Sequence, residues 1–143
     1  DGILNYIDLS NNACAVIGAL DPDIKEVKIP KTVNGRKVFS IAPFAFEYCD
    51  ELEYVHLGDV EVVASHAFAS CTKLRKVQHD RKASTLTIED EAFLNCESLE
   101  IVDISKEASF CTCLSIISIL CTCIKFIFPA FFCIYGWNNG ARA

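Results

Sequence analysis

The side chains in this chain best suited to chemistry are its nine cysteines and three histidines. In HAFASCTKLRKV, residues 66–77, Cys71 stands five residues after His66. Such a pair could supply a nucleophile and its base, two zinc ligands, or half of a disulfide. Further on, Cys111/Cys113 and Cys121/Cys123 form two Cys-x-Cys pairs, with Cys133 beyond them. At about 100° per residue a helix would scatter these five thiols around its axis. Strands could place each pair on one side, but no histidine or carboxylate lies nearby to complete a metal site. His56, His66 and His79 share no spacing, and no Gly-x-Ser-x-Gly, phosphate loop or metal-binding histidine pair occurs. The residues therefore point away from an enzyme, and toward a chain with no cofactor and no metal site.

The elements that carry Cys71 explain it better. IAPFAFEYCDELEYVHL from Ile41, VASHAFASCTKLRKVQH from Val63 and IEDEAFLNCESLEIVDI from Ile88 are three copies of one pattern. Each has an aliphatic residue, Ala-Phe four positions on, Cys after two more, then Leu and Val at three-residue steps. A truncated copy, IKEVKIP, begins at Ile24. Val55 and Leu57 alternate, so one side of a strand is apolar while Glu53, Tyr54 and His56 face water. A strand that short cannot bury its apolar side alone, so successive coils must stack. A period in the twenties with one short strand per repeat lies in the leucine-rich-repeat range.

The expected fold is a leucine-rich-repeat solenoid, a right-handed coil of short parallel strands over residues 24–29, 52–57, 74–79 and 99–104, with short helical turns. Ala45, Ala67 and Ala92 are small where backbones approach, and Phe46, Phe68 and Phe93 are expected to stack as an aromatic spine. Cys49, Cys71 and Cys96 form a column, one per coil, at a site for a small, soft, buried residue. Three identical positions cannot all pair as disulfides. Cys71 is read as packing.

The pattern Ile-x3-Ala-Phe-x2-Cys-x2-Leu-x2-Val-x-Leu resembles the BspA-type, or Treponema pallidum-type, leucine-rich repeat, over about residues 24–104. Two departures stand out: Gly58 where proline is usual, and His79 at an aliphatic position before the extra residues of DRKASTLTI, which suggest a bulged loop at 80–84. The resemblance implies a cell-surface or extracellular protein that recognises a protein or host-matrix ligand, without catalysis. An intracellular scaffold is the alternative, because unpaired cysteines suit a reducing compartment.

Composition divides the chain. All 19 Asp and Glu residues precede Ala108, whereas five of the nine cysteines follow it. We expect a repeat domain over 1–105, a hydrophobic cysteine-rich segment over 106–137 and a polar tail over 138–143. Residues 108–124 are uncharged, at the lower limit for a membrane span, and Tyr135 and Trp137 suit an interfacial belt. Membrane association through 108–137, a folded cap and out-of-frame sequence remain open alternatives. A net charge of −6 disfavours a nucleic-acid partner.

If the strands stack in register, their outward residues form columns. Lys25, Glu53, Arg75 and Glu100 alternate in charge, which is sufficient structural reason for them. Glu26, Tyr54, Lys76 and Ile101, with Lys28, His56, Gln78 and Asp103, make two further columns. The candidate ligand-binding residues among these are Tyr54, His56, Lys76, Gln78, Ile101 and Asp103, set against the plainer reading of a solvated sheet face.

Overall fold

In the computed structural model, the structure describes residues 2–80, 86–104 and, as backbone, 109–110. Two sheets flank one apolar core. The first contains β3 (Glu26–Lys28), β6 (Tyr54–Gly58), β8 (Lys76–His79) and β10 (Ile101–Asp103), in spatial order β10-β8-β6-β3 and parallel throughout. The second runs β1 (Leu4–Leu9), β2 (Ala13–Ala19), β5 (Arg36–Ile41), β7 (Val62–Val63), β9 (Thr87–Ile88) and β11 (Ser109–Phe110), with β4 (Thr32–Val33) paired to β5. Each turn of the chain gives one strand to each sheet, then returns through Ala-Phe-x-x-Cys. This is a leucine-rich-repeat solenoid of stacked strands.

The core follows the pattern that alternation dictates. Val27, Val55, Val77 and Val102 form one inward column, and Ile41, Val63 and Ile88 form another on the opposite sheet. Between them lie Phe46, Phe68 and Phe93, whose rings stack at 5.1 and 5.3 Å with planes within 3° of parallel. Ala67 and Ala92 are fully buried, while Ala45 is partly buried at the first coil. Gly18 packs there, and a Cβ on it would lie 3.0 Å from the Ala45 carbonyl oxygen.

The strands are shorter than expected, and those of the four-stranded sheet start two residues later. Leu52, Leu74 and Leu99 belong to the corner before each strand, their N–H groups donating to the carbonyls of Cys49, Cys71 and Cys96 at 3.1 Å. The expected helical turns are also corrected, since no helix occurs among the described residues. In the Ala-Phe-x-x-Cys segments, backbone donors alternate in direction. Ala45, Glu47 and Cys49 donate three residues back along their own coil, to Ala42, Phe44 and Phe46. Phe44, Phe46 and Tyr48 donate instead to Ser65, Ala67 and Ala69 of the next coil. An α-helix would direct every donor within its own segment. Phe44, Tyr48, His66, Ser70, Glu91 and Asn95 take positive φ angles of 57–60°, which turns alternate peptides toward the neighbouring coil.

The hairpin β1–β2, antiparallel from Leu4↔Ala19 to Leu9↔Ala13, is an element the repeat pattern does not contain. Its turn holds Asn11 and Asn12 at φ 65° and 58°. A second tight turn, Asn34-Gly35 (φ 50° and 76°), joins β4 to β5 with Val33 opposite Arg36. Asn-Gly favours this geometry because both central residues need positive φ. The candidate loop at 80–84 lies outside the described residues except for Asp80, whose carboxylate meets Lys31 at 3.2 Å. The cysteine-rich segment from Cys111 and the polar tail also lie outside them.

Candidate recognition face

The four-stranded sheet holds its outward residues in register because the valine column beneath fixes the pairing. Glu26 aligns with Tyr54, Lys76 and Ile101, and Lys28 with His56, Gln78 and Asp103. Tyr54 is the most constrained of them. Its hydroxyl donates to Gln78 Oε1 at 2.8 Å, and Lys76 Nζ lies 5.6 Å from its ring centroid. Each neighbour comes from the next coil, so stacking rather than the strand's own sequence holds the ring. Ile101 is exposed, and Tyr54, His56, Lys76, Gln78 and Asp103 are half-buried. The structure therefore brings all six candidates onto one face.

Beside them runs the charge column. Glu53, Arg75 and Glu100 donate their N–H groups to the carbonyls of Lys25, Glu53 and Arg75 at 2.8–2.9 Å, and Arg75 meets Glu100 at 3.4 Å. Lys73 and Glu51 form a further rung between coils, at 2.6 Å. That hydrogen bond, more than its charge alone, holds the Glu51 carboxyl below the usual range.

The repeat cysteines end the Ala-Phe-x-x-Cys segments, just before the corner that leads into each strand of the four-stranded sheet. Cys71 Sγ donates to the Phe46 carbonyl at 3.0 Å, and Cys96 Sγ to the Phe68 carbonyl at 3.1 Å. Each thiol ties its coil to the one before, where the spine phenylalanine also sits. Cys49 is half-buried; burial, then the neighbouring Cys71 and Asp50, push its thiol up to about 11. Hydrogen bonding to Cys96, followed by burial, pushes the Cys71 thiol up still further. These thiols are poor nucleophiles, since the thiolate is the reactive form. Among the described residues the free cysteines are Cys14, Cys49, Cys71 and Cys96.

One cluster escaped the sequence pattern. Ser65 Oγ is 3.1 Å from His66 Nδ1, while His66 Nε2 is 2.6 Å from Glu91 Oε2. Ser, His and Glu in series superficially match a hydrolase triad. The hydrogen bonds argue otherwise. Ser65 Oγ donates to the Asp90 carbonyl at 2.9 Å, so its proton is held by backbone rather than offered to His66. His66 also stacks on Phe44 at 5.0 Å. Phe44, His66 and Glu91 precede Ala-Phe in successive coils, so their contacts are another inter-coil column. Aligning the three repeats at that position would have exposed it. Among the described residues no three His, Cys, Asp or Glu side chains gather closely enough to hold a metal ion.

The BspA type leucine rich repeat region, as a family model, matches residues 21–132 in six copies. The chain belongs to that family. The match runs on through residues that composition sets apart, and β11 continues the seven-stranded sheet in the same direction. No curated protein matches the chain. Among solved structures, a leucine-rich repeat protein from Bacteroides capillosus is similar at 20% identity and a TM-score of 0.67, over 80% of this chain and 88% of that one. A leucine rich cell surface protein from Faecalibacterium prausnitzii is 23% identical with a TM-score of 0.68, over 77% of this chain but only 31% of that one. A leucine-rich repeat protein from Bacteroides ovatus gives 20% and 0.51, over 75% of this chain and 41% of that one. At these identities the likeness establishes the fold alone.

Proposed function

We propose that the chain is a non-enzymatic recognition module, displayed at the cell surface, whose four-stranded sheet engages a protein or host-matrix ligand. The observation that carries this reading is the ordered column pair on the sheet, with Tyr54 held between Lys76 and Gln78. An aromatic ring fixed before binding offers contact area at small entropic cost, and solenoid faces of this kind are extended binding surfaces. The family, and a structural neighbour described as a cell surface protein, support the location. Attachment through residues 108–137 completes the proposal. Tyr54→Ala combined with Lys76→Glu should abolish binding to immobilised matrix protein and to whole cells while leaving the thermal midpoint nearly unchanged. Full binding by the folded double variant removes this face from consideration.

A second reading, an intracellular scaffold, draws on the free thiols of Cys14, Cys49, Cys71 and Cys96. Fractionation of cells producing the protein distinguishes the two readings.

A further inference from the structure

The ion pairs of the four-stranded sheet leave a cation near its centre unmatched. Lys28 meets Glu26 at 3.2 Å, Lys73 meets Glu51 at 2.6 Å, and Arg75 meets Glu100 at 3.4 Å. Lys76, on β8 between β6 and β10, has no carboxylate partner among the described residues. Its ammonium lies over the Tyr54 ring instead, 5.6 Å from the centroid. Lys25 also lacks a close partner, but it stands near enough to Glu51 to help lower that carboxyl.

The groups around Lys76 are donors as well. The Tyr54 hydroxyl bonds to Gln78 Oε1 at 2.8 Å, and an amide carries its oxygen and nitrogen on opposite sides. That bond therefore turns both Nε2–H donors of Gln78 away from the hydroxyl, where the described residues offer them no acceptor. His56 aligns with Gln78 across the strands, and its ring N–H is likewise unbonded among the described residues. An ammonium, two amide N–H groups and an imidazole N–H thus stand together on two adjacent strands. All of them need an acceptor from outside. The surroundings limit which one. The chain carries a net charge of −6, and Glu53, Glu100 and Asp103 flank the donors. A polyanion would be repelled by those carboxylates, whereas one carboxylate balances the one unmatched cation. Its two oxygens can accept from Lys76 and Gln78 together. Ile101, exposed and aligned with Lys76, sets an apolar shoulder beside them.

We propose that Lys76 and Gln78, positioned by Tyr54, form a subsite for a single carboxylate, the side chain of an aspartate or glutamate on a protein ligand. This subsite rests on the reading that the sheet face engages a protein. The probe is N-acetylglutamate N-methylamide, whose only charge is the side-chain carboxylate, with the glutamine equivalent as neutral control. In nuclear magnetic resonance of the full chain, the carboxylate should move the Gln78 side-chain amide and Lys76 signals saturably at millimolar concentration, and the control should not. Lys76→Gln should weaken that response by about threefold or more. Tyr54→Phe, which frees the Gln78 amide without changing charge, should weaken it by a smaller factor. Lys25→Gln, at the other unmatched cation, should leave it unchanged. The same spectra report that each variant is folded. A response equal to that of the glutamine control, one indifferent to Lys76→Gln, or a stronger response to inorganic sulfate would each overturn the subsite. Binding to immobilised matrix protein tests the face separately. Loss of that binding in Tyr54→Ala with Lys76→Glu, without any carboxylate response in the unaltered chain, retains the face and discards the subsite. A carboxylate response with matrix binding intact in that double variant retains the subsite and discards the face.

Discussion

Phe46, Phe68 and Phe93 stack with parallel planes and centroids 5.1 and 5.3 Å apart, inside the range of favourable aromatic pairs. The backbone imposes this, because strands are spaced 4.7–4.9 Å apart and rings on successive coils inherit nearly that separation. Phe68 has a ring on both sides, so Phe68→Ala should cost about 3–5 kcal/mol, read from denaturant unfolding. A cost below about 1 kcal/mol would show that the spine does not bear on stability. The thiols give a second test at this scale. Folding raises the Cys49 pKa from 9.0 to about 11, so the unfolded chain loses that proton first as pH rises. Its contribution is complete below pH 9 and disappears as pH climbs toward 11. Stability should therefore fall across that interval, and less steeply in Cys49→Ala. In native alkylation Cys49 should react before the fully buried Cys71, and labelling of Cys71 at an equal rate would contradict the packing.

At the scale of elements, the strands and the turns were unequally legible. The columns through Tyr54 and His56 could be read from sequence, because period-two alternation and the recurring Leu-x-x-Val phase fix register even across repeats of unequal length. The alternating turns could not. Ala-Phe-x-x-Cys resembles one helical turn in spacing, and only the direction of each peptide, set by stacking, separates the two. The β1–β2 hairpin lay outside the repeat, with Asn11-Asn12 as its single local signal. Gly58 was legible as an exception but not as a necessity. It bulges β6 opposite His79, and a Cβ there would lie 2.6 Å from the Ile29 carbonyl oxygen at a φ of 62°. Gly58→Ala should cost more than the 1–2 kcal/mol of left-handed strain alone, because the clash is with backbone. Thermal melts test this, and an unchanged midpoint would mean β6 can re-register. His79, next along, is buried with Nε2 3.0 Å from the Val60 carbonyl oxygen and Nδ1 unpartnered, so an aliphatic site has kept half of a polar group unsatisfied.

At the scale of the molecule, a solenoid is only as stable as its stacked neighbours and its two ends allow. Among the described residues, the hairpin extends the seven-stranded sheet past β5, and β3 is the edge strand of the other sheet. The far end depends on how the chain covers β10 and β11. Composition divides the chain near residue 105, yet β11 carries the seven-stranded sheet to Phe110 and the family match runs to residue 132. These facts set two physical roles against each other for 108–137. Apolar residues that complete coils bury themselves against β10 and β11, whereas a membrane segment leaves those strands as the end of the stack. A chain truncated after Phe110 retains every strand among the described residues and separates the alternatives. For an anchor, the truncated chain should stay in the aqueous phase with an unchanged melting midpoint, while the full chain partitions into detergent. For coils, truncation should lower the midpoint and expose β10, because the Val102 and Ile104 side chains, both now buried, lose part of their cover. Dye binding to newly exposed apolar surface reads that outcome directly. Membrane attachment predicts the first result, and a truncated chain that melts early in the aqueous phase would refute it.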